Sequence, residues 1–281
     1  MALVQTPQAL FVAWQQPKSR RYFPVGRLGL AANADSGGVA RYEFAYIKGA
    51  HNAAKEGFQP FLAFPDLNRV YRSEDLFPFF ANRVMPRSRP DFADGVARLG
   101  LDPPTADDMA ILARNGGVRA TDSIELFPVP VLDTATACYQ TWFLAHGLRY
   151  LRDSAHERIA MLVRGNRLFI LPDVQNPVDS RALALRSDDQ IIVGYVPRYL
   201  LEDAWQLLEK CGWDVVEVFV DKVNLPPAPL QQRLLCRMKS RWPDGFVPFA
   251  GPTYQPISAE QAATGGKRSW VSRALRRSVG Q

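Results

Sequence analysis

Residues 173–185 read DVQNPVDSRALAL, and nine residues further on the chain continues Gly194, Tyr195, Val196, Pro197, Arg198. Carboxylates, amides, rigid prolines, an aromatic ring and a guanidinium fall within one short stretch, a combination suited to holding the end of a nucleic-acid strand. A terminal 3′-hydroxyl donates a hydrogen bond, whereas an internal phosphodiester oxygen has no proton to give. An ionised carboxylate in a narrow pocket therefore accepts from a strand end and repels a continuing phosphate. Asp179 is the candidate for that carboxylate. Gln175 and Asn176 offer amide donors to the last phosphate or to base edges, and Pro177 stiffens the loop so that less entropy is lost on binding. Tyr150 and Tyr195 offer ring faces for splayed terminal bases, at about 1–3 kcal/mol per base. Arg149 and Arg198 are placed to neutralise phosphate. The expected ligand is the hydroxyl end of a nucleic-acid strand.

Each of these residues also has a plainer use. An Asn-Pro-x-Asp tetrapeptide is a good turn former, with Asp179 able to accept from nearby backbone N–H groups. Tyr150 and Tyr195 can be ordinary aromatics on a sheet face, and Arg149 and Arg198 solvated surface charges. Other chemistry is not legible. The three histidines, His51, His146 and His156, have no metal-ligand spacing, and neither a zinc-protease nor a nucleophile-elbow signature occurs. The pairs Glu74-Asp75 and Asp188-Asp189 sit in polar turns where solvation is the default. Gly265-Gly266-Lys267 is followed by Arg268 where a phosphate-binding loop needs Ser or Thr. Cys138, Cys211 and Cys236 are odd in number and unpaired in spacing, which predicts buried free thiols rather than a disulfide framework or zinc site. The chain is therefore expected to be non-catalytic, without metal or cofactor.

With 281 residues, 47% of them apolar and 22% charged, the chain exceeds one comfortable core and suits two domains. No run approaches the roughly 20 apolar residues of a membrane span, and the early LFVAW lacks the flanks of a secretory signal. No membrane partner is expected, and a cytoplasmic location is. The net charge of +6 is unevenly placed: residues 1–139 hold 15 Lys+Arg against 14 Asp+Glu, residues 140–248 hold 14 against 13, and residues 249–281 hold 5 against 1. The two folded parts are nearly neutral, so nucleic-acid recognition there must be local rather than a bulk field.

The elements that must position the candidate residues follow from periodicity. LFVAW and YFPVGRL read as a hairpin, and RYEFAYI as a further strand after an exposed loop over 31–39. Helices are expected around 50–56, 90–100 and 105–115, the last capped by Thr105 with Asp108 in its first turn, and SIELFPVPV reads as another strand. Beyond a break at 133–137, TWFLAHGLRYL, NRLFILPD, RALALRS and QIIVGYVP read as strands, with SDDQ as a hairpin turn and HERIAMLV as a short helix or extended segment. RYLLEDAWQLLEKCG carries the apolar stripe Leu200, Leu201, Ala204, Leu207, Leu208 and Cys211 of an amphipathic helix stopped by Gly212. WDVVEVFVDKV reads as a final strand, with LLCRMKS as a further candidate, completing a small curled sheet with one helix laid across it. The predicted class is α+β: a mixed domain over 1–135, a barrel with a packed helix over 136–250, and a flexible basic tail over 251–281. Within that tail Val271, Leu275 and Val279 share a helical face while Arg273, Arg276 and Arg277 lie elsewhere, which suits contact with phosphates, an acidic membrane surface or a protein groove as well as a merely solubilising end.

Residues 139–248 resemble the HIRAN domain. HGLRY at 146–150, DVQNPVDSRALAL, and VGYVPRYLLEDAWQLL at 193–208 stand in that family's order and spacing. The resemblance implies an oligonucleotide-binding or SH3-like barrel that grips the free 3′ end of a single DNA strand, as in DNA-remodelling helicases; bacterial chains also carry it outside helicases. One departure stands out: where the family commonly has an aromatic between the proline and the aspartate, this chain has Val178, which removes a contact worth about 1–3 kcal/mol. Residues 9–130 resemble the N-terminal subdomain of HipA-like proteins, through VGRL at 25–28, YEFAY at 42–46, LFPFFANRVMP at 76–86 and LARNGGVRATDSIELFP at 112–128. No kinase core follows, so that resemblance implies a detached module for regulation or protein contact, in the rival reading as part of a toxin–antitoxin or kinase-like complex.

Overall fold

The computed structural model describes residues 7–32, 40–130, 132 and 136–257. They form two compact units, each drawn from more than one stretch. The first takes residues up to 87, 107–129 and those from 247; the second takes 88–106 and 130–246. The class is α+β, with one antiparallel sheet in each unit. Of the flexible tail read over 251–281, residues 251–257 are instead ordered on the first unit, with a 3₁₀ turn at Pro252–Tyr254, Tyr254 against Phe11 and Pro256 bridged to Ile47, and the rest lies outside the described residues.

In the first unit β1 (Ala9–Gln15), β2 (Tyr22–Ala32), β3 (Ala40–Tyr46), β4 (Tyr71–Ser73) and β5 (Ile124–Pro128) form a sheet in the order β4-β3-β2-β1-β5. The expected hairpin is present, with Leu10 opposite Leu28 and Val12 opposite Gly26. Against the sheet lie α1 (Gly49–Ala54), α2 (Pro78–Ala81) and α4 (Asp108–Asn115) around an aromatic core of Phe44, Tyr46, Phe58, Phe64 and Phe80. The buried Tyr46 hydroxyl donates to the Phe64 carbonyl at 2.8 Å and accepts from the Phe61 amide at 2.7 Å, so the proline-rich connection is tied to β3. Thr105 is not the cap of α4. Asp107 is: its Oδ1 accepts from the Ala110 amide at 2.7 Å, while the Thr105 hydroxyl donates to Asp102. Both residues are legitimate caps by type, and the one two residues nearer the helix reaches the free amides.

In the second unit β6 (Cys138–Leu144), β7 (Arg167–Pro172), β8 (Leu183–Arg186), β9 (Ile192–Tyr195), β10 (Glu217–Val223) and β11 (Leu234–Arg241) run in the order β6-β11-β10-β7-β8-β9. Just past β6, His146 bridges Tyr195 at the end of β9 with both backbone hydrogen bonds at 3.0 Å, so the curled sheet meets itself. Its interior holds Tyr139, Phe143, Leu168, Leu185, Val218 and Met238. Helix α6 (Leu201–Cys211) lies against β11 and buries Leu201, Ala204, Leu207 and Leu208 of the predicted stripe, with Cys211 half-buried at its end. It stops at Gly212, at φ 96°, whose amide reaches the Leu208 carbonyl at 3.0 Å. HERIAMLV resolves as a helix, α5 (Asp153–Met161), against β9. Helix α3 (Phe92–Arg98) belongs to this unit: its terminal carbonyls at Ala97 and Arg98 accept from the Lys222 ammonium and the Asn224 amide of the β10 end. The three thiols are free, Cys236 buried and Cys138 and Cys211 half-buried. No helix among the described residues is long and apolar enough to cross a membrane.

Candidate nucleic-acid interface

Residues 173–181 leave β7 and return to β8 as a loop whose shape is set by its own polar side chains. The Asp173 amide donates to the Ala182 carbonyl at 2.9 Å and closes the base. Asn176 builds the turn: its Oδ1 accepts from the amides of Val178 at 3.0 Å and Asp179 at 3.2 Å, and its Nδ2 donates to Asp173 Oδ2 at 3.0 Å. The turn-forming use of the tetrapeptide is thus realised, and Asn176 acts first on the loop rather than outward. Gln175, Pro177 and Val178 are exposed on the loop.

Asp179 also takes part in this framework. Its Oδ1 accepts from the Arg181 amide at 3.0 Å, while Oδ2 faces Arg198 Nε at 3.4 Å, with the carboxylate side chain 31% exposed. A carboxylate has about four acceptor positions, so these two partners leave room for a hydroxyl donor. Arg198 opens the short 3₁₀ turn Arg198–Leu200 ahead of α6, and its Nη2 donates to the Val178 carbonyl at 2.9 Å. One guanidinium therefore grips the loop tip at a carbonyl and at a carboxylate. From the other side α6 holds the loop base, since Trp205 Nε1 donates to the Arg181 carbonyl at 2.9 Å and Arg181 pairs with Glu202 at 3.0 Å. That pair is half-exposed at both ends and contributes about 0–1 kcal/mol.

Tyr195 stands beside the loop. Its hydroxyl donates to Asp173 Oδ2 at 3.1 Å, and burial, then the Asp173 carboxylate, hold the phenol above its usual pKa. Gly147 explains the closeness of the next segment. At φ 78° it is in the left-handed region, and a Cβ there would lie 2.7 Å from the Tyr195 ring. The 3₁₀ turn Leu148–Tyr150 follows, carrying Tyr150 outward at 73% exposure with the Arg149 guanidinium 4.6 Å from its ring centroid and donating to its hydroxyl. Arg149 and Tyr150 thus form one projecting cation–aromatic unit.

The structure gathers Asn176, Asp179 and Arg198 into one hydrogen-bonded loop, with Tyr195 joined to it through Asp173 and Tyr150 linked to Tyr195 by the Gly147 turn. The residue that sequence reasoning passed over is Asp173, the acceptor shared by Tyr195 and Asn176. Its signal was the Asp-x-x-Asn spacing, which brings an acid and an amide together across one turn. Among the described residues no group of three or more His, Cys, Asp or Glu is arranged to hold a metal ion.

No protein-family model matches the chain, and no curated protein matches it. Among solved structures, a protein from Lactobacillus plantarum aligns at 16% identity and TM-score 0.28, covering 40% of this chain and 95% of that one. The HIRAN domain of human HLTF aligns at 13% identity and TM-score 0.26, covering 40% of this chain and 74% of that one.

Proposed function

We propose that this is a non-catalytic DNA-binding protein whose second unit is a HIRAN-like barrel recognising single-stranded or 3′-hydroxyl DNA ends, with the first unit as a protein-interaction domain. The observation that carries the reading is the Asp179–Arg198 pair at 3.4 Å on the loop, its carboxylate 31% exposed. The pair presents an acceptor for a terminal hydroxyl and a cation for the last phosphate at a single point. A strand that continues past its 3′ oxygen brings a second anion to the carboxylate and offers no proton to it. The HGLRY, DVQNPVDSRALAL and VGYVPRYLLEDAWQLL motifs support the same assignment.

The test is a titration of a short single strand ending in a 3′-hydroxyl against the same strand ending in a 3′-phosphate. The hydroxyl end is expected to bind more tightly, and equal affinity overturns the reading. Asp179→Asn is the sharper variant, because an amide oxygen still accepts from the Arg181 N–H while the negative charge is gone; it should bring the two affinities together. A second reading, regulation of a kinase-like complex by protein contact, is favoured by an open cleft of about 320 Å³ in the first unit, lined by Trp14, Phe58, Phe61, Phe79 and Ile124. A stoichiometric kinase-like partner retained by the native chain and lost on Phe61→Asp would support it; retention by that variant would not.

A further inference from the structure

We infer that the open face of the barrel sheet is a track for the internal nucleotides of a single DNA strand whose 3′ end sits at the 173–181 loop. The inference rests on the end-recognition reading for the position of the strand's terminus. The chemistry of the face stands by itself.

Residues directly opposed in antiparallel strands point to the same side of a sheet. Trp142 opposes Arg237, Arg237 opposes Phe219, and Phe219 opposes Arg167. Two residues along β7 from Arg167, Phe169 opposes Arg186. Two further, Leu171 shares its side with Ala184 and Tyr195. One face thus runs from Trp142 on β6 to Arg186 on β8 with ring and guanidinium alternating, and continues through Leu171 and the buried Ala184 to Tyr195 on β9. The arginines lie over the rings: Arg186 and Arg167 stand 5.4 and 5.6 Å from the Phe169 centroid, and Arg237 stands 6.0 Å from that of Phe219.

A β-strand face that met only water would carry polar residues at alternate positions. Here Phe169 and Leu171 are 38% and 44% exposed. The plain account, arginine stems covering stray rings, does not explain the sorting of charge. Residues 140–248 are almost balanced, with 14 basic and 13 acidic side chains. Yet the strands of this sheet hold two carboxylates, the buried Asp221 and Glu217, and only Glu217 shares the track, paired with Arg167 at 3.6 Å. Opposite it stand Arg167, Arg186, Arg237 and Lys239. A surplus of positive charge interleaved with π faces fits a single strand, whose phosphates need cations and whose bases need stacking platforms. An acidic peptide would use the cations and leave the rings idle. The track also has the right continuation, since Tyr195 at its end donates to Asp173 at the loop base. Five strand spacings separate β9 from β6, about 24 Å along the curved sheet, room for several nucleotides beyond the terminal one.

The test uses the full chain and thymidine strands, a trinucleotide and a dodecanucleotide, each with a 3′-hydroxyl or a 3′-phosphate. The dodecanucleotide should bind the native protein more tightly than the trinucleotide. Phe169→Ala and Phe219→Ala should each weaken it by about five- to a hundred-fold and leave the trinucleotide unchanged. Arg167→Gln and Arg186→Gln, which keep the rings, should each make the logarithmic salt dependence of the dodecanucleotide shallower by roughly 0.7. Equal affinity for the two lengths, or dodecanucleotide binding unmoved by all four variants, overturns the track. So does a poly-glutamate peptide that binds the native protein as tightly as the dodecanucleotide does. The hydroxyl-to-phosphate ratio tells the two readings apart. Loss of length-dependent binding with the ratio intact removes the track and keeps the end site, whereas an effect of the ring variants without any hydroxyl preference keeps the track and removes the end site.

Discussion

Asp173 receives both the Tyr195 phenol and the Asn176 amide on one oxygen, at 3.1 and 3.0 Å. Removing its charge should therefore be felt at two places. The Tyr195 phenol is raised first by burial and second by this carboxylate, so Asp173→Asn is expected to lower its titration toward the ordinary value without reaching it. An ultraviolet difference titration, with Tyr195→Phe as the reference, reads the shift; an unmoved or higher titration would remove Asp173 from the account. The same variant should weaken strand binding less than Asp179→Asn alters end preference, because it acts on the loop's shape. At this scale the sequence marked the segment that carries the polar side chains but not which of them would pair or which way each would turn. Asn176 is predicted to reach a ligand, and its Oδ1 instead accepts two amides of its own turn. An amide and a carboxylate in a tight Pro-containing loop satisfy nearby backbone groups before anything distant, and residue type alone does not settle that competition.

Elements decide how closely these residues approach. Gly147 lets the turn before Tyr150 pass across the Tyr195 ring, and both its left-handed φ and the 2.7 Å a Cβ would leave forbid a larger residue. Gly147→Ala is expected to destabilise the protein by about 1–3 kcal/mol, read as a lower Tm, and to loosen the His146–Tyr195 bridge, read as faster amide exchange at His146 and Tyr195. Helix α4 gives a contrasting case. Asp107→Ala should cost about 0.5–2 kcal/mol as the loss of a cap, and Thr105→Ala clearly less, since the threonine hydroxyl meets Asp102 and no helix amide; thermal unfolding of the pair settles the order. Most strands were legible, because alternation over RYEFAYI and NRLFILPD and the stripe of α6 are local signals, but the three-residue β4 inside the proline-rich connection was not. The grouping of α3 with the second unit was not, because it depends on Lys222 and Asn224 reaching the helix's last carbonyls from more than a hundred residues away. The ring-and-arginine face was hidden for the same reason: Phe169, Phe219 and Trp142 lie far apart in the chain and only strand order brings them onto one surface.

For the whole molecule the relevant quantity is where charge lies relative to where recognition happens. Residues 258–281 contain Lys267, Arg268, Arg273, Arg276 and Arg277 against Glu260, most of the net +6 of the chain. Such a stretch attracts any polyanion and does so without regard to how the strand ends. Preference for a terminal hydroxyl has a different origin, since it needs contacts within hydrogen-bond reach, and the loop that offers them belongs to a part of the chain that is nearly neutral. The two contributions can therefore be separated by ending the chain after residue 257. All strands should then bind more weakly and by a similar factor, and the fall of log affinity with log salt should become shallower. The ratio of 3′-hydroxyl to 3′-phosphate affinity should not move. Fluorescence anisotropy at several salt concentrations measures all three. A ratio that collapses on truncation would transfer end recognition from the loop to the tail, whereas a constant ratio with weaker overall binding leaves the tail as a non-selective electrostatic arm beside a selective site.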